Sequence, residues 1–352
     1  MDYKKKLEEL ILTVIREGGS DLHLGTGRVP IIRVSGELIS LAKYSVFTEA
    51  DTIGILSIVL PKAKVEKFME EQEADFSYDF RGEARLRGNA FFQKGLVCVV
   101  FRLVPKVRTI AELHLPPIIA DLARKKQGFF LVVGPVGQGK STTLSAMVDL
   151  INNEQARNII TIEDPIEHVY IPNKSIINQR EVGIDTHDFH IALKSVFRED
   201  VNVIMIGEMR TPETIATAVT AAETGHLVLS TLHTNNASQT IDRIIDSFPG
   251  DQQDQIRTQL SSSLLGIFSQ RLVPRITGGL IPAFELLLNN SAVSNLIREK
   301  RTHEIDVVIE TGAESGMIDL NHSLLELVRA GEISIETAYQ YSLNPKGIER
   351  ML

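Results

Sequence analysis

Phe129-Phe130-Leu131-Val132-Val133-Gly134-Pro135-Val136-Gly137-Gln138-Gly139-Lys140-Ser141-Thr142-Thr143 decides how the rest of the chain is read. An apolar run passes without a break into G-x-x-x-x-G-K-S, and Leu144 to Leu150 continue with helix-favouring residues. Strand, glycine loop and helix in that order are the context a phosphate-binding P-loop requires. Glycines let successive backbone N–H groups turn toward an anion, and the following helix adds its positive end. The expected ligands are Gly134, Pro135, Val136, Gly137, Gln138, Gly139 and Thr142, with Lys140 reaching the β- and γ-phosphates and Ser141 offering its hydroxyl to Mg²⁺. ATP and Mg²⁺ are the cofactors this pattern implies.

Outward from the loop, 352 residues with 43% hydrophobic and 23% charged side chains describe a globular protein large enough for two cores. The net charge of −8 argues against a chain that grips nucleic acid, so none is expected as a partner. Cys98, the one cysteine, lies in an apolar run and reads as a buried thiol; it can form neither an intrachain disulfide nor a Cys₄ zinc site. Lys4-Lys5-Lys6 has the charge of a signal peptide, but Glu8, Glu9, Arg16 and Glu17 interrupt the apolar residues after it. No stretch approaches the roughly 20 apolar residues that cross a bilayer. The expected location is cytoplasmic, with any membrane association made through a partner.

The pattern along the chain predicts an α+β domain over 1–105, a linker over 106–117 and an α/β domain over 118–352. Leu7, Leu10, Ile11, Val14 and Ile15 recur at helical spacing, and Gly18-Gly19 stops that helix. Strand-like segments come next at Asp21–Leu24, Ile31–Val34 and Ala84–Leu103, with a helical piece at about Thr48–Glu71 between them. Beyond Pro116-Pro117, apolar strands at Phe130–Val133, Asn158–Ile162, Asn202–Ile206 and Leu227–Thr231 alternate with helical segments, the signature of a mainly parallel sheet. Past Asp251 the chain reads as helices: Gln252–Arg271, Ala292–Glu299 and Asn321–Ala330.

Hydrolysis of a phosphoanhydride needs a metal-orienting acid, a group that positions water and positive charge for the transition state. Val203-Ile204-Met205-Ile206-Gly207-Glu208 is an apolar strand leading to a carboxylate, so Glu208 is the Walker B-like acid, placed to hold Mg²⁺ directly or through water. Ile159-Ile160-Thr161-Ile162-Glu163 repeats the arrangement and makes Glu163 the general-base candidate, whereas Asp164 before Pro165 reads as a turn former. His226 and His233 bracket a further strand, His233 at its carboxyl end as the γ-phosphate sensor. Arg85, Arg87 and Arg102 alternate with apolar residues. They read either as the wet face of a strand or, for Arg87 and Arg102 above all, as fingers reaching a nucleotide on a neighbouring subunit.

Together these blocks resemble the PilT family, the retraction ATPases of type IV pili, among the secretion and pilus-assembly ATPases. The resemblance runs through Ser20–Leu24, the P-loop, Thr161–Glu167, Asn178–Gly183, Gly207–Arg210, Glu223–His226 and His233-Thr234. It implies a PAS-like N-terminal domain, a RecA-like P-loop core with C-terminal helices, and a homohexameric ring that binds ATP between domains. It places Glu163 in an Asp box, and His226 and His233 in a His box that serves the nucleotide. It also implies an inner-membrane platform protein as partner, and a paralogous pilus ATPase beside it. Ala292–Glu299 resembles the family's retraction motif, with Val293-Ser294 in place of Ile-Arg; Val201-Asn202 and Thr211 also depart from the usual residues, and Lys94 stands where relatives carry arginine. Extension and secretion ATPases are the nearest alternative. Many of them carry a tetracysteine zinc subdomain, which one cysteine cannot form. A nucleotide-gated adaptor with negligible turnover and a nucleic-acid motor are the remaining readings.

Overall fold

The computed structural model describes residues 2–34, 36–82, 84–104 and 107–351. Two compact units meet in sequence between Lys106 and Val107. The expected domain end at 105 and linker start at 106 lie outside the described residues.

In the first unit, α1 (Tyr3–Arg16) starts at Asp2, whose carboxylate accepts from the Lys5 N–H at 3.0 Å, and it buries Leu7, Leu10, Ile11 and Val14. The strands are β1 (Gly19–Gly25), β2 (Ile31–Val34), β3 (Glu37–Ser40), β4 (Glu73–Phe80), β5 (Ala84–Gln93) and β6 (Leu96–Leu103). They form an antiparallel sheet in the order β3-β2-β1-β6-β5-β4. The helical piece expected over Thr48–Glu71 is two helices, α2 (Glu49–Val59) and α3 (Lys62–Glu71). Pro61 drives Leu60 into extended geometry and so ends α2. The segment Ala84–Leu103 likewise divides, at Lys94-Gly95, where both residues take positive φ. Leu22, Leu24, Val97, Val99 and Phe101 pack with Leu7, Leu10, Ile55 and Leu56 in one core.

The second unit contains α4 (Ile118–Ala123), β7 (Gly128–Val133), α5 (Lys140–Glu154), β8 (Asn158–Glu163), β9 (Ile176–Glu181), α6 (Phe189–Val196), β10 (Val203–Ile206), α7 (Pro212–Glu223), β11 (Leu227–Leu232), α8 (Ala237–Asp246) and α9 (Gln253–Ser263). Then come β12 (Leu264–Pro274), β13 (Leu280–Leu288), α10 (Ser291–Arg298), α11 (Ile305–Thr311), α12 (Leu320–Arg329), α13 (Ile335–Tyr341) and α14 (Pro345–Met351). The sheet order is β13-β12-β7-β11-β10-β8-β9, parallel except for β13. β7 and β11 are buried along their whole length, which is why β7 reads as an apolar run, while in β11 the hydroxyls of Ser230 and Thr231 donate to the carbonyls of Ile206 and Gly207.

Two expectations change here. The helix read over Gln252–Arg271 stops at Ser263, and Leu264 onward is a strand beside β7. Gly266 shows why: a β-carbon there would stand 2.5 Å from the Leu287 carbonyl oxygen, a backbone approach made across the β12–β13 pair. β9 and β13 are strands beyond those the sequence pattern predicts. The stretch read as a linker packs into the second unit, with Ile110 and Leu115 buried and Val107 and Leu113 partly buried against the core around α5. Among the described residues no helix is long and apolar enough to cross a membrane.

Candidate active site

Parallel pairing sets the carboxyl ends of four strands level. Val133 pairs with Leu232, Ser230 with Ile206, and Ile206 with Ile162. Gly134, His233, Gly207-Glu208 and Glu163 therefore emerge at one edge of the sheet, the edge at which open α/β sheets bind ligands. A cleft of about 560 Å³ lies there, lined by Val136 to Thr142, Glu163, Asp164, Glu208, Arg210 and His233.

The loop needs its glycines. Gly139, at φ 77°, is the residue before α5. Gly134, at φ 145°, could carry no side chain, because its β-carbon would meet the Gln270 carbonyl oxygen at 2.4 Å. α5 opens at Lys140, so its unpaired first-turn N–H groups and positive dipole end border the cleft. Lys140 Nζ donates to the carbonyls of Gly134 and Pro135 at 2.9 and 2.8 Å and lies 3.3 Å from Nδ1 of His233. Burial lowers the lysine pKa, while the charges of Glu208 and Glu167 work against that fall.

Glu163 is 5% exposed. Burial raises its pKa, opposed by hydrogen bonds from Thr161 Oγ1 at 2.6 Å and Gln179 Nε2 at 3.3 Å to Oε1, and from the Glu167 N–H at 3.3 Å to Oε2. This is a dry, fixed carboxylate with a basicity above that of a solvated one, as a general base requires. Glu208 pairs with Arg210 and has its Oε2 3.8 Å from Nε2 of His233. Burial first, then the Lys140 charge, lowers the His233 pKa, and Glu208 opposes them. A neutral ring can accept from Lys140 through Nδ1.

His226 does not join this group. It stands before the amino end of β11, about 20 Å of strand from His233. There its Nδ1 lies 2.9 Å from the Ala221 carbonyl, and its ring stands perpendicular to that of Phe197 with the centroids 5.7 Å apart. Arg87 and Arg102 belong to the first unit, as neighbours across β5 and β6. Arg102 Nε donates to Asp21 at 2.8 Å, and Arg33 lies 3.9 Å from the same carboxylate.

Two residues that support the site carry no sign of that role in the sequence. Gln179, on β9, ties Glu163 to the His168 carbonyl, which accepts from Nε2 at 2.8 Å. Gln270 lies on β12, where a helix was expected, and contacts the loop directly.

Residues 98–315 match the family of type II/IV secretion system proteins. The type IV pilus retraction ATPase PilT of Pseudomonas aeruginosa is 42% identical over 97% of this chain and 99% of its own length. The type IV pilus ATPase PilU of the same organism is 38% identical over 99% of this chain and 91% of its own. A crystal structure of the pilus retraction motor PilT with bound ADP superposes with a TM-score of 0.90 at 43% identity, covering 98% of this chain and 99% of that one. The chain belongs to the type II/IV secretion system protein family and, within it, to the PilT family of pilus retraction ATPases.

Proposed function

We propose that this protein is the ATP-hydrolysing motor that retracts type IV pili, depolymerising pilin for twitching motility. The observation that carries the reading is the meeting of Lys140, Glu163, Glu208 and His233 beside the P-loop on one sheet edge. The likeness over the whole chain to an ADP-bound retraction motor supports it.

In this reading the second unit is a RecA-like core and the first a PAS-like domain, six subunits close into a ring, and the ring works at the inner face of the cytoplasmic membrane through a platform protein. The backbone of Gly134 to Gly139 and the Lys140 ammonium bind the phosphates, with Ser141 and Thr142 at the helix start. The Ser141 hydroxyl and Glu208, directly or through water, would hold Mg²⁺, which would supply charge neutralisation on the phosphate oxygens. Glu163 orients the attacking water and takes its proton as phosphate leaves ADP. Neutral His233 holds the lysine from the β11 side. Arg87 and Arg102 complete the site from the neighbouring subunit, and His226 acts at a distance from it.

Phosphate release by the purified protein with Mg-ATP tests the chemistry: turnover that vanishes in Lys140→Ala supports a motor, whereas ATP binding without turnover leaves a nucleotide-gated adaptor. The similarity to PilU favours one second reading, in which the chain works alongside a paralogous pilus ATPase. Co-purification of the two from cells would support that arrangement.

A further inference from the structure

The phosphate loop borders the cleft and also touches the neighbouring strand β12. Gln270, 3% exposed, stands at that contact. Its Oε1 accepts from Thr143 Oγ1 at 2.6 Å, in the first turn of α5, and its Nε2 donates to the Gln138 carbonyl at 2.7 Å, near the middle of the loop. Two residues further on, the Leu272 N–H donates to the side-chain oxygen of Gln138 at 2.7 Å. The Gln270 carbonyl closes the third side, where only a glycine at 134 leaves it room. β12 thus meets the loop at its start, its middle and the helix it feeds.

We propose that Gln270 is a positioning residue for the phosphate loop, setting the backbone geometry in which the loop binds nucleotide. This rests on the reading of the cleft as an ATP site. A loop with glycines at 134, 137 and 139 has little preference of its own for one conformation. An anion site works best when its N–H groups are aligned before the anion arrives. The alignment has to come from outside the loop, and β12 is suited to give it, since β7 flanks it on one side and β13 on the other. Glutamine suits the position because a primary amide donates and accepts at once. Both ends are engaged, so the side chain acts on the substrate only through the loop.

The test uses the full-length protein, a fluorescent ADP analogue for affinity and phosphate release for KM and kcat. Gln270→Met keeps the volume and removes both bonds. It is expected to weaken ADP binding and raise the KM for ATP by about ten-fold or more, because a loop carbonyl loses its buried partner. Thr143→Val removes the other half of one bond and is expected to weaken binding in the same direction, while Thr143→Ser, which keeps the hydroxyl, stays close to wild type. The double variant Gln270→Met/Thr143→Val is expected to match Gln270→Met alone, since the two act through one contact. Variants that melt at a lower temperature yet keep wild-type ADP affinity and KM would overturn the proposal, as would losses that multiply in the double variant. Should Gln270→Met fail to fold, the contrast between Thr143→Val and Thr143→Ser decides alone, and equal affinities for those two overturn the proposal. Wild-type protein that binds no ADP would instead bring down the ATP-site reading itself, and the positioning role with it.

Discussion

Nζ of Lys140 and Nδ1 of His233 stand 3.3 Å apart, joining the P-loop to the carboxyl end of β11. The pair is stable as ammonium and neutral imidazole, since burial and the lysine charge both resist protonation of the ring. The His233 pKa is therefore below its ordinary 6.5. Its folded-state pKa is lower than its unfolded one, so the stability it contributes is complete above 6.5 and is lost as pH falls through the folded value. A titration of the His233 ring by NMR should give a midpoint below 6.5, rising in Lys140→Met; a midpoint above 6.5 in the wild type contradicts the assignment.

Glu163 is held as a carboxylate by three donors against burial that favours its acid form. With Glu163 as the proposed base, the acid limb of kcat should lie above the ordinary 4.5, because only the carboxylate accepts a proton from water. Removing the Thr161 hydroxyl in Thr161→Val takes away one of the opposing bonds and should move that limb to higher pH. A limb that stays in place under this substitution would mean that another group sets it.

Glu285 accepts from the Ala237 N–H at 2.7 Å at the start of α8, and burial, with Asp306 and Asp319 adding to it, raises its pKa to about 7. Arg271 opposes the rise. Between 4.5 and about 7 the folded state binds more protons than the unfolded chain, so stability falls as pH rises through that window. The full penalty is about 3 kcal/mol, from a shift of roughly 2.5 units. Glu285→Gln should remove it, giving a variant more stable than wild type at pH 8 and nearly equal to it at pH 4.5 in urea denaturation. A constant difference across that range would refute the assignment.

Arg102 is paired with Asp21, whose pKa is lowered because bonds from Ser20 and Arg102, with the arginine charge, outweigh the burial that would raise it. If Arg102 serves a neighbouring subunit, Arg102→Ala and Lys140→Ala are each inactive as pure assemblies. Mixing them recovers activity, because about one head-to-tail interface in four joins two intact halves. Mixtures measured by phosphate release that stay inactive after subunit exchange would place the arginine outside the site.

Legibility in the sequence depends on how local each signal is. The P-loop and the acids at residues 163 and 208 sit where an apolar run stops, and the stop itself marks the strand end. Register then does the rest, since Ile206 pairs with Ile162 and brings both acids to one edge. The segment Leu264–Phe268 carries no such mark, because a short apolar run fits a buried helix or a buried strand equally well. Gln270 is hidden with it. A buried glutamine has no motif, and its partners are more than a hundred residues away in sequence. Ile110 and Leu115 lie beside Pro116-Pro117, which reads as linker, although their apolar side chains anchor the stretch to the second core. His226 and His233 flank one strand, and the strand's direction, readable in the sequence, already sets His233 alone at the carboxyl edge.

ATP hydrolysis in this protein drives the retraction of pili. Replacing the chain in its host with Glu163→Gln and counting surface pili and retraction events in single cells would show this dependence. Abundant pili that do not retract are expected, from a protein that still binds nucleotide. Cells without pili would point to extension instead, and normal retraction would exclude hydrolysis through Glu163 as its driving force.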